Sequence, residues 1–114
     1  MAIAKDRLLL RLPIIGNIIK QTIVARFART LSTTFAAGVS LVESLETVAE
    51  TAGNQIYHRA IKDIANEVIS GQTLHQAISM TDRFPSMLIQ MVAIGEESGS
   101  LDEMLTKVAN NYEQ

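Results

Sequence analysis

Three short runs of glycine, a hydroxyl-bearing residue and leucine restrict this chain to a series of short helices. The runs are Gly-Val-Ser-Leu at 38–41, Gly-Gln-Thr-Leu at 71–74 and Gly-Ser-Leu at 99–101. Glycine ends a helix because it adopts left-handed backbone at little cost, and a Ser or Thr oxygen then caps the next helix by accepting a backbone N–H. Each run therefore predicts that one helix stops, that another starts, and that a leucine is buried at the new start.

Apolar residues recur at helical spacing between these stops, and nothing in the chain reads as a strand. We predict six helices, of which the first spans about 17–37. Ser40 with Glu43 and Ser100 with Glu103 have the spacing of a capping box, in which the two residues satisfy each other's backbone N–H groups. The remaining helix starts are assigned to the cap residues Asn54 and Thr73 and to the proline break at 82–86.

The predicted fold is all-α, a compact antiparallel bundle of six helices. A helical solenoid is the alternative, because the first two glycine runs lie 33 residues apart, but the next interval of 28 residues does not repeat this spacing. Only Gln90 is polar between Met87 and Ala93, so the fifth helix is predicted to be the central element of the core. Met80, Met87 and Met91 are predicted to pack there.

The composition leaves little room for enzymatic or metal chemistry. The 114 residues include no cysteine, and His58 and His75 lie on different predicted helices without a second ligand one turn away. The glycines stand singly and form no phosphate-binding loop. We therefore predict a single domain that is not an enzyme and that has no catalytic residue, metal site or cofactor, with both histidines in surface or capping roles.

Charge is divided unevenly along the chain. Residues 1–29 contain six basic residues against Asp6 alone, whereas residues 30–114 contain four basic and eleven acidic residues. An acidic body with few aromatic residues argues against a nucleic-acid partner, and the basic start suits an anionic membrane surface, with a solvated basic end as the alternative. No run of about 18 apolar residues is present to span a membrane. The residues predicted to lie beside the membrane are Arg7, Arg11, Lys20, Arg26 and Arg29.

Two acidic groups are predicted to contact a basic partner. Glu43, Glu46 and Glu50 are three and four residues apart and therefore line one exposed face of the second helix. Glu96 and Glu97 end the fifth helix, where the helix dipole disfavours negative charge, so no local structural role explains them. Solvated helix charges are the structural alternative. A further alternative is that carboxylates at the turn after Glu97 bind a divalent ion, although no EF-hand pattern is present.

Four motifs together resemble one protein family. They are 25–31 (ARFARTL), 37–41 (AGVSL), 84–85 (FP) and 91–102 (MVAIGEESGSLD). Their order and spacing, across residues 8–113, are similar to those of the inner-membrane platform proteins of type IV pilus and type II secretion machines, the PilC/GspF family. The IGEE form at 94–97 resembles the pilus branch more than the secretion branch. Gly95 and Gly99 within this motif are also explained by a helix turn alone.

The resemblance implies a function larger than this chain. Family members carry two similar cytoplasmic helical domains separated by membrane helices, and this chain resembles the second, C-terminal one. Residues 1–16 would then be a membrane-proximal basic and apolar lead-in, and residues 17–114 a single helical bundle on the cytoplasmic side of the bacterial inner membrane. The implied role is to couple the cytoplasmic assembly ATPase to pilin assembly and disassembly, without covalent chemistry. The implied partners are that ATPase, pilins, other inner-membrane components and further copies of the protein.

Two alternatives remain open from the sequence. One is the platform of a type II secretion system rather than that of a pilus or DNA-uptake machine. The other, of a different class, is a soluble helical adaptor without a membrane context. An adaptor predicts that the leucines and isoleucines of 8–15 fold onto the core, whereas a platform protein predicts that they are partly exposed once separated from their membrane helix.

Overall fold

The structure, a computed structural model, describes residues 13–113, with side chains from residue 16 onward. These residues form six helices and no strand, which confirms the predicted all-α bundle. The helices are α1 Pro13–Ala36, α2 Leu41–Glu50, α3 Gln55–Ile69, α4 Leu74–Thr81, α5 Ser86–Ser98 and α6 Leu101–Tyr112.

Local sequence explains where the middle helices begin. Ser40 Oγ accepts the N–H of Glu43 at 3.2 Å at the start of α2. Asn54 Oδ1 accepts two N–H groups from the first turn of α3, at 2.9 and 3.2 Å. Thr73 Oγ1 accepts a first-turn N–H of α4 at 3.3 Å. The three N-cap residues are confirmed, and a cap of this kind stabilises a helix by about 1 kcal/mol. The predicted capping box at Ser40 is formed only in part, because the Glu43 carboxylate does not accept the N–H of Ser40.

The second predicted capping box, at Ser100, is wrong. Ser100 Oγ makes no bond to the first turn of α6 and lies instead 2.6 Å from Ser98 Oγ. The reason is the tight turn before it, in which Gly99 is left-handed, with a φ of 75°, and the N–H of Ser100 donates to the carbonyl of Gly95 at 2.9 Å. This turn leaves Ser100 at a φ of −122° and a ψ of 41°, outside the extended backbone that an N-cap normally adopts.

Each helix packs against its neighbours in the chain, and α6 closes the bundle by packing along α1. A solenoid would leave the first and last helices apart, so this closed arrangement excludes the repeat alternative. Hydroxyl groups reinforce the closing contact: Ser32 Oγ lies 2.7 Å from Thr106 Oγ1 and 3.0 Å from the carbonyl oxygen of Asp102.

The core receives large apolar side chains from all six helices. An aromatic cluster joins three separate parts of the chain, since the ring of Phe27 on α1 lies 4.8 Å from that of Phe84, and Phe84 meets Tyr57 of α3 edge-on at 5.5 Å. Other side chains with less than 2% exposure extend the core along every helix. They include Leu31, Leu45, Ile61, Ile64, Leu74, Ile78, Leu88 and Leu105.

The prediction that α5 is the central element of the core is wrong. Only Leu88, Val92 and Gly95 of α5 are buried, because α5 packs between α4 and α6 and its outer face has no neighbour among the described residues. Met80 on α4 is 61% exposed rather than packed, and the methionines at 87 and 91 are partly buried. An apolar run does not reveal which of its faces neighbouring helices will cover.

Alternating helix directions give the bundle two ends. The near end contains the start of α1, the turns 51–54 and 82–85, and the end of α6. The far end contains the turns 37–40, 70–73 and 99–100. No helix among the described residues is long and apolar enough to cross a membrane.

Candidate functional site

The acidic face of α2, formed by Glu43, Glu46 and Glu50, is exposed as predicted. The opposite face of the same helix is buried through Leu45 and Val48, so the helix keeps one orientation in the bundle. None of the three carboxylates forms an ion pair with another described residue. The acidic face is therefore free to meet a basic partner, and that contact stays a prediction.

Glu96 has a structural role that sequence reasoning missed. Its carboxylate accepts the backbone N–H groups of Leu74 and His75, the first residues of α4, at 2.7 and 3.0 Å. The same carboxylate lies 2.7 Å from His75 Nδ1. Negative charge is favourable at the N-terminus of a helix, where the first N–H groups lack partners. The interpretation of Glu96 as a structurally unexplained residue is thus wrong, because it fastens the end of α5 to the start of α4.

The remaining acidic residues of this turn are on the surface. Glu97 and Glu103 are exposed, and Asp102 is partly exposed. Among residues 13–113, no group of three acidic or histidine side chains is placed to hold a metal ion, so the divalent-ion alternative gains no support from the geometry. Glu97 is the member of the predicted pair whose carboxylate is still available to a partner.

Replacing Glu96 by glutamine should lower the free energy of unfolding by about 1–2 kcal/mol, because hydrogen bonds to a charged acceptor are worth more than neutral ones. Glutamine also offers one acceptor oxygen where the carboxylate uses two. The measurement is urea denaturation followed by circular dichroism. Glu97→Gln is the matched control and should change stability by no more than about 0.5 kcal/mol. If Glu96→Gln and Glu97→Gln change the free energy of unfolding by the same amount, the hydrogen bonds from Glu96 to α4 contribute nothing measurable to stability.

Two residues of the predicted basic group make contacts within the bundle. Arg26 Nη1 donates to the carbonyl of Thr51 at 3.1 Å, which joins α1 to the end of α2. Arg29 donates from Nε and Nη2 to the two carboxylate oxygens of Glu113, at 2.9 and 2.8 Å, and from Nη2 to Asn110 at 2.6 Å. These hydrogen bonds raise the pKa of Arg29 and lower the pKa of Glu113. Both side chains are exposed, so the pair adds little stability and mainly orients the end of α6.

The rest of the predicted basic group divides in two. Lys20 is exposed on the first half of α1. Arg7 and Arg11 lie outside the described residues, as does most of the lead-in at 1–16. The predicted membrane contact of this group therefore stays a prediction.

Both histidines are engaged with helix ends. His58 Nδ1 lies 2.8 Å from the carbonyl oxygen of Ala49, in the last turn of α2. A carbonyl only accepts, so Nδ1 carries the proton in this contact. His75 lies beside Glu96 at the start of α4, so both histidines meet helix ends, within the predicted range of surface or capping roles.

Gly95 is needed for close packing rather than for a turn. It is buried within α5, and a Cβ built on it would lie 2.7 Å from Cα of Leu101 and 3.2 Å from Cγ of Met104. The second helix of this pair, α6, can approach so closely only because position 95 has no side chain. Sequence reasoning explained Gly95 by a helix turn. It missed the packing role because the surface that packs against Gly95 belongs to the next helix, α6, and the distance between two helices is a tertiary property.

Several known proteins are similar in sequence to this chain. Residues 27–114 match the family described as type II secretion system (T2SS), protein F. The chain is 54% identical over 109 residues to the type IV pilus assembly protein PilC of Pseudomonas aeruginosa, a match that covers 96% of this chain and 29% of that protein. It is 50% identical over 109 residues to the type IV pilus assembly protein TapC of Aeromonas hydrophila, covering 96% and 26%. The type II secretion system protein F of Pseudomonas aeruginosa is 41% identical over 105 residues, covering 92% and 26%. The chain thus spans less than a third of the length of these curated relatives.

Proposed function

We propose, from the premise that this chain belongs to the type II secretion system protein F family and to its pilus branch, that it is one helical domain of the inner-membrane platform of a type IV pilus machine. The single observation that carries the proposal is the family match over 27–114, which covers the last part of α1 and all of α2 to α6. Higher identity to two pilus assembly proteins than to the secretion protein favours the pilus machine over the secretion machine.

Within such a platform, we assign this chain to the second cytoplasmic domain. Residues 1–16 form a membrane-proximal lead-in, and residues 17–114 form the bundle. Since α1 already begins at Pro13, the end of the lead-in shares a helix with the bundle. A continuous helix at this junction would transmit displacement between membrane and bundle better than a flexible linker would.

The domain acts mechanically, without covalent chemistry. Its role is to couple the motion of the cytoplasmic assembly ATPase to pilins that enter or leave the inner membrane, in a platform that contains further copies of the protein. Such a role requires a bundle that moves as one body and an exposed surface for the partner. The α1–α6 closure and the cap from Glu96 to α4 support the first requirement. The acidic face of α2, together with Glu97, supports the second.

Binding of the chain to its cognate assembly ATPase tests this proposal. Wild type should bind saturably, and the charge reversal Glu43→Lys with Glu46→Lys should weaken binding by about tenfold at low salt, because opposite charges across an interface would become like charges. The difference should shrink at high salt as the charges are screened. Isothermal titration calorimetry at two ionic strengths measures both effects.

The matched control is Asp63→Lys with Glu67→Lys, an equal charge change at two residues that also lie about one helical turn apart, on α3. This control should bind like wild type, and circular dichroism checks that all three proteins are folded. Equal weakening by both reversals would remove the acidic face of α2 as the contact surface. Absence of binding by wild type would refute the proposed coupling of this domain to the ATPase.

A further inference from the structure

An open cavity of about 470 Å³ lies at the near end, between the first half of α3 and the end of α4. The guanidinium-bearing residues Arg59 and Arg83 line it together with His58 and Asp63. Met80, the 61% exposed side chain, also lines this cavity. The roles described so far, helix capping and the acidic face of α2, do not explain why two arginines and an exposed methionine line one cavity.

The backbone around Arg83 is held in one position. Asp82 adopts the left-handed conformation, with a φ of 54°, and is the only non-glycine residue between 13 and 113 with a positive φ. Asp tolerates this conformation better than most residues, at some cost in strain. Tyr57 Oη then donates to the carbonyl of Arg83 at 2.9 Å, and the N–H of Arg83 donates to Thr81 Oγ1 at 3.3 Å. Burial raises the pKa of Tyr57, so its hydroxyl remains a donor at neutral pH. The backbone of Arg83 is thus held against α3, the helix that carries Arg59.

A second cavity, of about 350 Å³, continues this surface towards α1. It is lined by Lys20 and by Asp82, and it shares Arg83 with the first cavity. We call the two cavities together the basic cleft, defined by Lys20, Arg59 and Arg83. Asp63 and Asp82 oppose these charges in part, but no carboxylate of the described residues forms an ion pair with any of the three. The acidic residues Glu43, Glu97 and Glu103 belong to the opposite, far end of the bundle.

We infer that the basic cleft binds the phosphate of an anionic phospholipid headgroup at the membrane surface. Arginine matches phosphate by donating two parallel N–H groups, and the exposed Met80 offers an apolar contact for the glycerol and first acyl carbons of a lipid. The inference rests on the proposed function, in which the start of α1 and hence the near end face the membrane. The chain's own lead-in is a poor occupant, because its Lys5, Arg7 and Arg11 would repel the cleft.

Vesicle sedimentation of the 114-residue chain tests the inference. The probe is a vesicle of phosphatidylglycerol and phosphatidylethanolamine, compared with a vesicle of phosphatidylcholine alone. Arg59→Gln with Arg83→Gln should lower the partition coefficient on the anionic vesicles by about tenfold or more, since each basic residue at such a surface contributes about a factor of five. Binding to the phosphatidylcholine vesicles should be weak for every variant.

The matched control is Lys62→Gln with Lys107→Gln, which removes the same charge from side chains that do not line either cavity. It should lower the partition coefficient by less than about threefold, because Lys62 and Lys107 do not line the cleft and so do not contact the bound phosphate. Equal losses from the two pairs of substitutions would overturn the inference. Equal binding by wild type and the arginine variant would also overturn it, and would favour an acidic protein segment as the occupant of the basic cleft.

A third arm separates a lipid headgroup from free phosphate. Chloride is replaced by inorganic phosphate at constant ionic strength, and the vesicle binding of wild type should persist. A fall to the level of the arginine variant would identify the cleft as a site for free phosphate and overturn the lipid assignment. The outcome is independent of ATPase binding, so failure of this inference and failure of the proposed function are distinguishable.

Discussion

Phe27→Ala is expected to lower the free energy of unfolding by about 3–5 kcal/mol, the range for removing a buried aromatic ring. Phe27 is 1% exposed, and its ring contacts Phe84, which in turn meets Tyr57. The substitution would leave a cavity where α1, the turn 82–85 and α3 meet. A small domain has a total stability of about 5–15 kcal/mol, so the variant should be close to unfolding. Urea denaturation followed by circular dichroism measures the difference.

Two controls separate the lost ring from a general effect of changing α1. Phe27→Leu keeps most of the apolar volume and should cost less than half as much. Phe35→Ala removes the same ring from the same helix at a partly buried position and should also cost less. A cost below about 1 kcal/mol for Phe27→Ala would contradict the described core, because a fully buried ring cannot be lost so cheaply.

Gly95→Ala should lower the free energy of unfolding by about 1–3 kcal/mol through overpacking. The new methyl group would lie 2.7 Å from Cα of Leu101, a backbone atom that cannot move aside without shifting α6. Alanine would by itself favour the helix by about 1 kcal/mol, so a net loss requires that the steric term be larger. Thermal and urea unfolding of the variant measure the sign directly.

The neighbouring substitution Ile94→Ala is the matched control. Ile94 is 51% exposed on the outer face of α5, so the change to alanine should cost less than about 1 kcal/mol. If Gly95→Ala proves as stable as wild type or more so, α5 and α6 are farther apart than described. The same outcome would favour the earlier explanation of Gly95, in which the glycine serves the helix turn and not the packing of α6.

The acidic face of α2 shows how far sequence reasoning reached for the candidate site. Spacing along one helix is a local property, and it correctly placed Glu43, Glu46 and Glu50 on a single exposed face. Glu96 was misread because its partners, the first N–H groups of α4, lie more than twenty residues away in the chain. No periodicity or cap rule reaches over that distance. The basic cleft was missed for the same reason, since Arg59 and Arg83 come from different segments that only packing joins.

Helix number, helix order and most helix boundaries were determined by the sequence alone, because each depends on residues within one or two turns. A cap at Asn54 needs only the N–H groups that follow it, and a glycine stop needs only its own backbone freedom. Tertiary structure decided which side of α5 is covered, whether Ser100 caps α6, and why position 95 must be glycine. Those outcomes depend on distances between helices, and interhelical distances are set by how all six apolar faces pack around one core.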